Sequence, residues 1–138
     1  MKAKVKWTGY MSFVGESGSG HCVSMDGAPE AGGRNLAPRP MEMVLMGLGG
    51  CSSFDIVKML KAAGQDVRDV EIRLEAERAD TEPAVFTRIR GHFTVSGHAI
   101  SDDEVRKAVR ASAEKHSSVS KMLEKTADIK YDYEIVEL

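Results

Sequence analysis

Pro40-Met41-Glu42-Met43-Val44-Leu45-Met46-Gly47-Leu48-Gly49-Gly50-Cys51-Ser52-Ser53 opens a segment that reads as helix as far as Ala63. Proline suits a first helical position, and Glu42 places a negative charge near the positive end of the helix dipole. Met41, Met43, Val44, Leu45, Met46 and Leu48 leave almost no polar face, so this half is expected to be buried all round. Beyond Cys51 the pattern turns amphipathic: Phe54, Val57 and the Lys58/Lys61 pair fall on different faces, and Gly64 is a suitable stop. Gly47, Gly49 and Gly50 each cost about 0.8–1 kcal/mol in a helix interior. Close backbone packing or a kink beside Cys51 would account for them.

On the N-terminal side, Ala3, Val5 and Trp7 alternate with lysines, which is the pattern of a half-buried strand. Met11 and Phe13 continue the alternation to a turn-rich tip at Gly15–Gly20, and His21 to Met25 returns as a strand closed by Asp26-Gly27. Ala28 to Arg39 has no periodicity and reads as an exposed loop. On the C-terminal side, Val70, Ile72, Leu74 and Ala76 alternate with charged residues. Val85, Thr87, Ile89, Gly91, Phe93 and Val95 form a second strand, with Arg88, Arg90 and His92 outward. Ser101-Asp102-Asp103-Glu104 is a capping box for a helix with the stripe Val105, Ala108, Val109 and Ser112. A short helical stretch is expected around Val119, Met122 and Leu123, and a final strand carries Ile129, Tyr131, Tyr133 and Ile135. This order predicts a single α+β domain over residues 1–138, with two sheet halves separated by a long buried central helix. A chain of 138 residues has little material to cover a helix that is apolar all round, so a homodimer is expected.

Composition excludes several classes. With 42% hydrophobic and 29% charged residues the chain is globular, and a net charge of −2 without a basic block argues against nucleic acid. No run of 18 uncharged apolar residues is present, so no membrane partner is expected. The basic start reads as a strand rather than a signal peptide, and two cysteines then point to free thiols in a reducing cytoplasm.

Read from the residues alone, Cys51 is either a reactive thiol or a small buried hydrophobe. If the glycines break the helix, Cys51 lies near the N-terminus of the second half, where amide dipoles favour a thiolate; Asp55, one turn on, opposes this. Cys22 reads as an ordinary strand residue. The four histidines lack ligand spacing, so neither a metal nor any other cofactor is expected. Glu42 is a helix-start charge or a catalytic carboxylate.

The stretch from Pro40 to Ser53 resembles the central-helix signature of the OsmC/Ohr family, in its YhfA-like branch. Glu114-Lys115-His116-Ser117-Ser118-Val119-Ser120 is similar to the family's second motif. The resemblance implies an OsmC-like fold, an intertwined homodimer with antiparallel sheet halves around the central helix, and reduction of organic hydroperoxides in oxidative-stress defence. It further implies that Cys51 is the peroxidatic cysteine, that Ser117 occupies the resolving position as serine in place of cysteine, and that an external dithiol is the reductant. Glu42 falls one residue after the position of the family's catalytic glutamate, which here is Met41, and Met11 to Cys22 lacks the hairpin arginine. Arg34 or Arg39, in the following loop, is the substitute that the sequence offers. The alternative is a peroxidase-deficient homologue whose Met-rich helix lines a pocket for a small apolar ligand.

Overall fold

The computed structural model describes residues 1–138 and divides into two compact units, Met1–Met46 and Gly47–Leu138. In the first, strands β1 (Ala3–Gly9), β2 (Ser12–Ser17) and β3 (Cys22–Met25) form the expected antiparallel meander, in that order. Trp7 faces Phe13 and Phe13 faces Met25, so the apolar residues share one surface. Val5, Trp7 and Val23 on it remain exposed. The loop after β3 includes a single 3-10 turn, Pro29–Ala31, and is tied back by the buried Asp26. The Asp26 carboxylate accepts from the N–H groups of Gly27 at 2.7 Å and Leu36 at 3.1 Å. These bonds, the Gly27 one foremost, hold its pKa below the usual carboxylate range despite burial.

Helix α1 runs without interruption over Pro40–Ala62, so the glycines do not break it. The placement of Cys51 at a helix N-terminus is thereby overturned: the thiol lies in mid-helix, away from the dipole's positive end. Close packing is the reason at one glycine. A Cβ on Gly49 would lie 2.8 Å from Leu74 Cδ1 and 3.2 Å from Ile72 Cγ2, whereas Gly47 and Gly50 face open space. The expectation that the first half of α1 is buried all round also fails for the single chain, where Val44 and Met46 are 39% and 50% exposed. By length and composition alone α1 could cross a bilayer. Its second half, however, buries Leu48, Ser52, Ile56 and Leu60 at four-residue spacing, as the core helix of a globular unit does. It ends at Gly64, whose φ of +72° suits glycine, and Gln65 N–H reaches back to the Leu60 carbonyl at 3.0 Å.

Strands β4 (Asp66–Arg78), β5 (Phe86–His98) and β6 (Asp128–Glu137) form the second sheet, in that order. β4 and β5 make an antiparallel hairpin, but β6 adds to β5 in parallel, against the expectation of wholly antiparallel halves. Helix α2 (Asp102–Ala111), a π turn over Ser112–His116 and helix α3 (Ser118–Leu123) carry the chain back across one face. Such a crossover returns the strand in the same direction. Ser101 Oγ caps α2 by accepting from Glu104 N–H at 3.3 Å. Ile56, Leu60, Phe93, Val95, Val105, Ala108 and Val109 form the core, with Ile135 and Tyr133 packed against it.

The outer sheet face is charged. His92 lies between two carboxylates of β6, with Nδ1 2.6 Å from Asp132 Oδ1 and Nε2 3.2 Å from Glu134 Oε1. Only the imidazolium donates from both nitrogens, and these bonds, Asp132 first, raise the His92 pKa. A raised folded value means that this stabilisation is full below the unfolded pKa of about 6.5 and fades as pH climbs through the folded value. His92→Gln should therefore be less stable than wild type near pH 5.5, with the difference closing toward about pH 8.5. Urea melts of both proteins at the two pH values provide the measurement.

Candidate functional site

Within Gly47–Leu138, Cys51 is a free thiol of intermediate exposure on the continuous α1. Its neighbour Ser52 points the other way and is 1% exposed. Ser52 Oγ–H donates to Ser117 Oγ at 3.3 Å and lies 3.3 Å from the Tyr131 hydroxyl. Tyr131 in turn shares a 2.6 Å hydrogen bond with Ser120 Oγ. Four hydroxyls thus meet beneath the helix turn that carries Cys51. Room for the Tyr131 ring comes from Gly91, where a Cβ would sit 2.6 Å from Tyr131 Cδ1.

Ser117, at the position implied to be resolving, is fully buried. It breaks the helical path with extended backbone, caps α3 and accepts the Ser120 N–H at 3.3 Å. The π turn delivers it there, because Ser117 N–H reaches the Ser112 carbonyl at 2.9 Å, a bond spanning five residues. Ser112, also buried, donates to Asp55 Oδ2 at 3.0 Å. Asp55 is one turn from Cys51, so their side chains are neighbours on the helix surface.

Two hollows flank this region. A groove of about 590 Å³ runs from Gly50 and Ser53 along Phe54, Val57, Lys58 and Val70. A smaller one of about 190 Å³ is lined by Asp55, Lys58, Met59, Ala62 and His116. Lys58 borders both.

Among the other residues of interest, Glu42 takes a helix-start position. Its Oε1 accepts the Arg39 N–H at 2.9 Å, which is one half of a capping box. It stands nine positions before Cys51 in the sequence. Arg34 stacks on the Tyr10 ring at 4.2 Å, and Cys22 is an exposed free thiol on β3. The sequence reading missed Ser52, Ser120 and Tyr131 as a group. The available signal was an inward-facing Gly91 in an otherwise bulky strand, which implies a large neighbour.

The OsmC-like protein family model matches residues 32–132. "Protein YhfA" of Escherichia coli strain K12 is 48% identical over 136 residues, covering 99% of this chain and 98% of that protein. The chain belongs to the OsmC-like family. A chain solved under structural genomics shares 46% identity at a TM-score of 0.90 over 100% of both chains. An organic hydroperoxide resistance protein OsmC from Legionella pneumophila shares the fold at a TM-score of 0.72 and 19% identity, covering 96% of this chain and 94% of its own.

Ser117→Ala removes a cap and one of the two hydroxyls bonded to Ser52. The expected loss is about 1–3 kcal/mol of stability. Chemical denaturation of the variant beside wild type measures it, and a neutral result would show that the hydroxyl cluster contributes nothing.

Proposed function

We propose that this chain reduces organic hydroperoxides through Cys51 as a single peroxidatic cysteine, in oxidative-stress defence within the cytoplasm. The observation that carries this reading is a free, half-exposed thiol, in an OsmC-like chain, on the helix turn where an apolar groove begins. The Legionella pneumophila relative's name, organic hydroperoxide resistance protein, supports the substrate class. The thiolate attacks the terminal peroxide oxygen, the O–O bond breaks, an alcohol leaves, and sulfur becomes a sulfenic acid. Serine forms no disulfide, so an external dithiol resolves that species. Without it the sulfenic acid proceeds to the sulfinic form. The second reading, a peroxidase-deficient binder of a small apolar ligand, is favoured by one observation: Ser117 is a buried helix cap.

The experiment is the intact mass of wild type, Cys51→Ser and Ser117→Cys after graded cumene hydroperoxide. Wild-type Cys51 should gain one and then two oxygens, with sustained turnover only when dithiothreitol is supplied. Cys51→Ser should be inert. Ser117→Cys, whose side chain faces Ser52 rather than Cys51, should form no disulfide with Cys51 and should overoxidise as wild type does. A Cys51 that remains a thiol under excess peroxide would leave the ligand binder as the better account.

We infer further that the working form is a homodimer. Each unit leaves apolar side chains bare: Val5, Trp7, Val44 and Met46 in the first, Phe54 in the second. Clustered apolar exposure of this kind marks protein interfaces. Glu42, at the start of α1 and nine positions before the thiol, would serve Cys51 from a second copy. Sedimentation at low micromolar concentration should give roughly twice the 15.0 kDa chain mass. A folded monomer there would exclude both ideas.

A further inference from the structure

An attacking thiolate and a departing alkoxide both need positive charge close by. The Met11–Cys22 hairpin supplies none, Arg34 is stacked on Tyr10, and the like-charged Asp55 sits one turn from the sulfur. The uninterrupted helix supplies an alternative. Residues seven apart on an α-helix fall two turns on and within about 20° of the same line. Cys51, Asp55, Lys58 and Ala62 therefore form one stripe along α1.

Helical side chains lean toward the N-terminus, so the four-carbon stem of Lys58 is directed back toward the turn of Cys51. Its placement agrees: Lys58 and Lys61 both line the groove of Gly50, the residue before the thiol, but Lys58 alone of the two also borders the small hollow shared with Asp55 and His116. The ion-paired lysines of this chain are Lys4, Lys107 and Lys121. Lys58 is outside those pairs. Asp55 does not swing freely, since the buried Ser112 hydroxyl holds Oδ2 at 3.0 Å.

We propose that Lys58 is the cation serving Cys51, and that Asp55, fixed by Ser112, positions the ammonium along the stripe. The assignment rests on the hydroperoxide reading above. In the step itself, the Cys51 thiolate donates an electron pair to the terminal oxygen of the hydroperoxide. An S–O bond forms, the O–O bond breaks, sulfur is oxidised by two electrons and the peroxide is reduced. The oxygen transferred keeps its hydrogen as Cys51–SOH. The alkoxide leaves with the bonding pair and takes a proton from the Lys58 ammonium, which is reprotonated from water. Lys58 thus lowers the cost of negative charge first on sulfur and then on the leaving oxygen.

The test uses Lys58→Met, which keeps an apolar stem, Lys58→Arg, which keeps the charge, Lys61→Met and His116→Gln. Two rates are measured at pH 7. One is alkylation of Cys51 by iodoacetamide, which requires no peroxide chemistry. The other is sulfenic acid formation with cumene hydroperoxide, trapped by dimedone. Lys58→Met should slow both about tenfold, the low end of what an opposite charge at close range provides. Lys58→Arg should stay within about threefold of wild type, as should Lys61→Met, which lines the groove but lies off the stripe. A structural role alone would not discriminate Met from Arg in this way. If wild-type Cys51 takes no oxygen while Lys58→Met still slows alkylation, the peroxidase reading fails and the cation assignment stands. Alkylation of Lys58→Met at the wild-type rate overturns the assignment, as does a slowing confined to His116→Gln.

Discussion

The contact between Gly49 and β4 sets the phase of everything that follows on α1. With no side chain at position 49, the helix backbone lies against Leu74 and Ile72. That approach turns Ser52, Ile56 and Leu60 inward and leaves Cys51 at the boundary between core and solvent. A helix rotates by about 100° per residue, so a shift of one position would bury the thiol or swing it into open solvent. The other two glycines of the cluster have no such neighbour. The cost of three glycines is therefore explained by packing at one of them only.

On opposite sides of the Cys51 turn the chain places two kinds of polar chemistry. Inward is a set of uncharged hydroxyls, Ser52, Ser117, Ser120 and Tyr131, each bonded to another. Buried hydroxyls that satisfy one another hold elements in register without introducing a charge into the core. Along the outer stripe stand Asp55 and Lys58, where solvent and the small hollow accommodate charge. The division makes Ser117 a fastener between α1 and α3.

Alternation and capping made most of the fold legible. β4, β5, β6 and the Ser101 cap of α2 lie where period-two patterns and the capping box put them. Cys51 stood out through its glycine-flanked setting and the family signature, and its thiol is free and partly exposed. What escaped the reading was set by tertiary contact. An unbroken α1 depends on Leu74 and Ile72, residues more than twenty positions away, which no local propensity contains. The parallel sense of β6 depends on how α2, the π turn and α3 cross the sheet, and strand periodicity carries no information on direction. The hydroxyl cluster was hidden for a similar reason: serine and tyrosine read as polar surface or strand residues until a fold brings them together. Glu42 had two readings, and its bond to the Arg39 N–H supplies the simpler one.

The parallel attachment of β6 also bears on how the molecule is made. Thr94 and Glu134 are bonded neighbours on β5 and β6 yet lie 40 residues apart in the chain. A ribosome delivers β6 well after β5, so in the interval β5 has a bare edge and Tyr131 is absent from the hydroxyl cluster. Closure of the second sheet thus waits for Asp128–Glu137 to leave the exit tunnel. Until then the nascent hairpin presents the kind of unpaired edge and uncovered apolar face that chaperones bind.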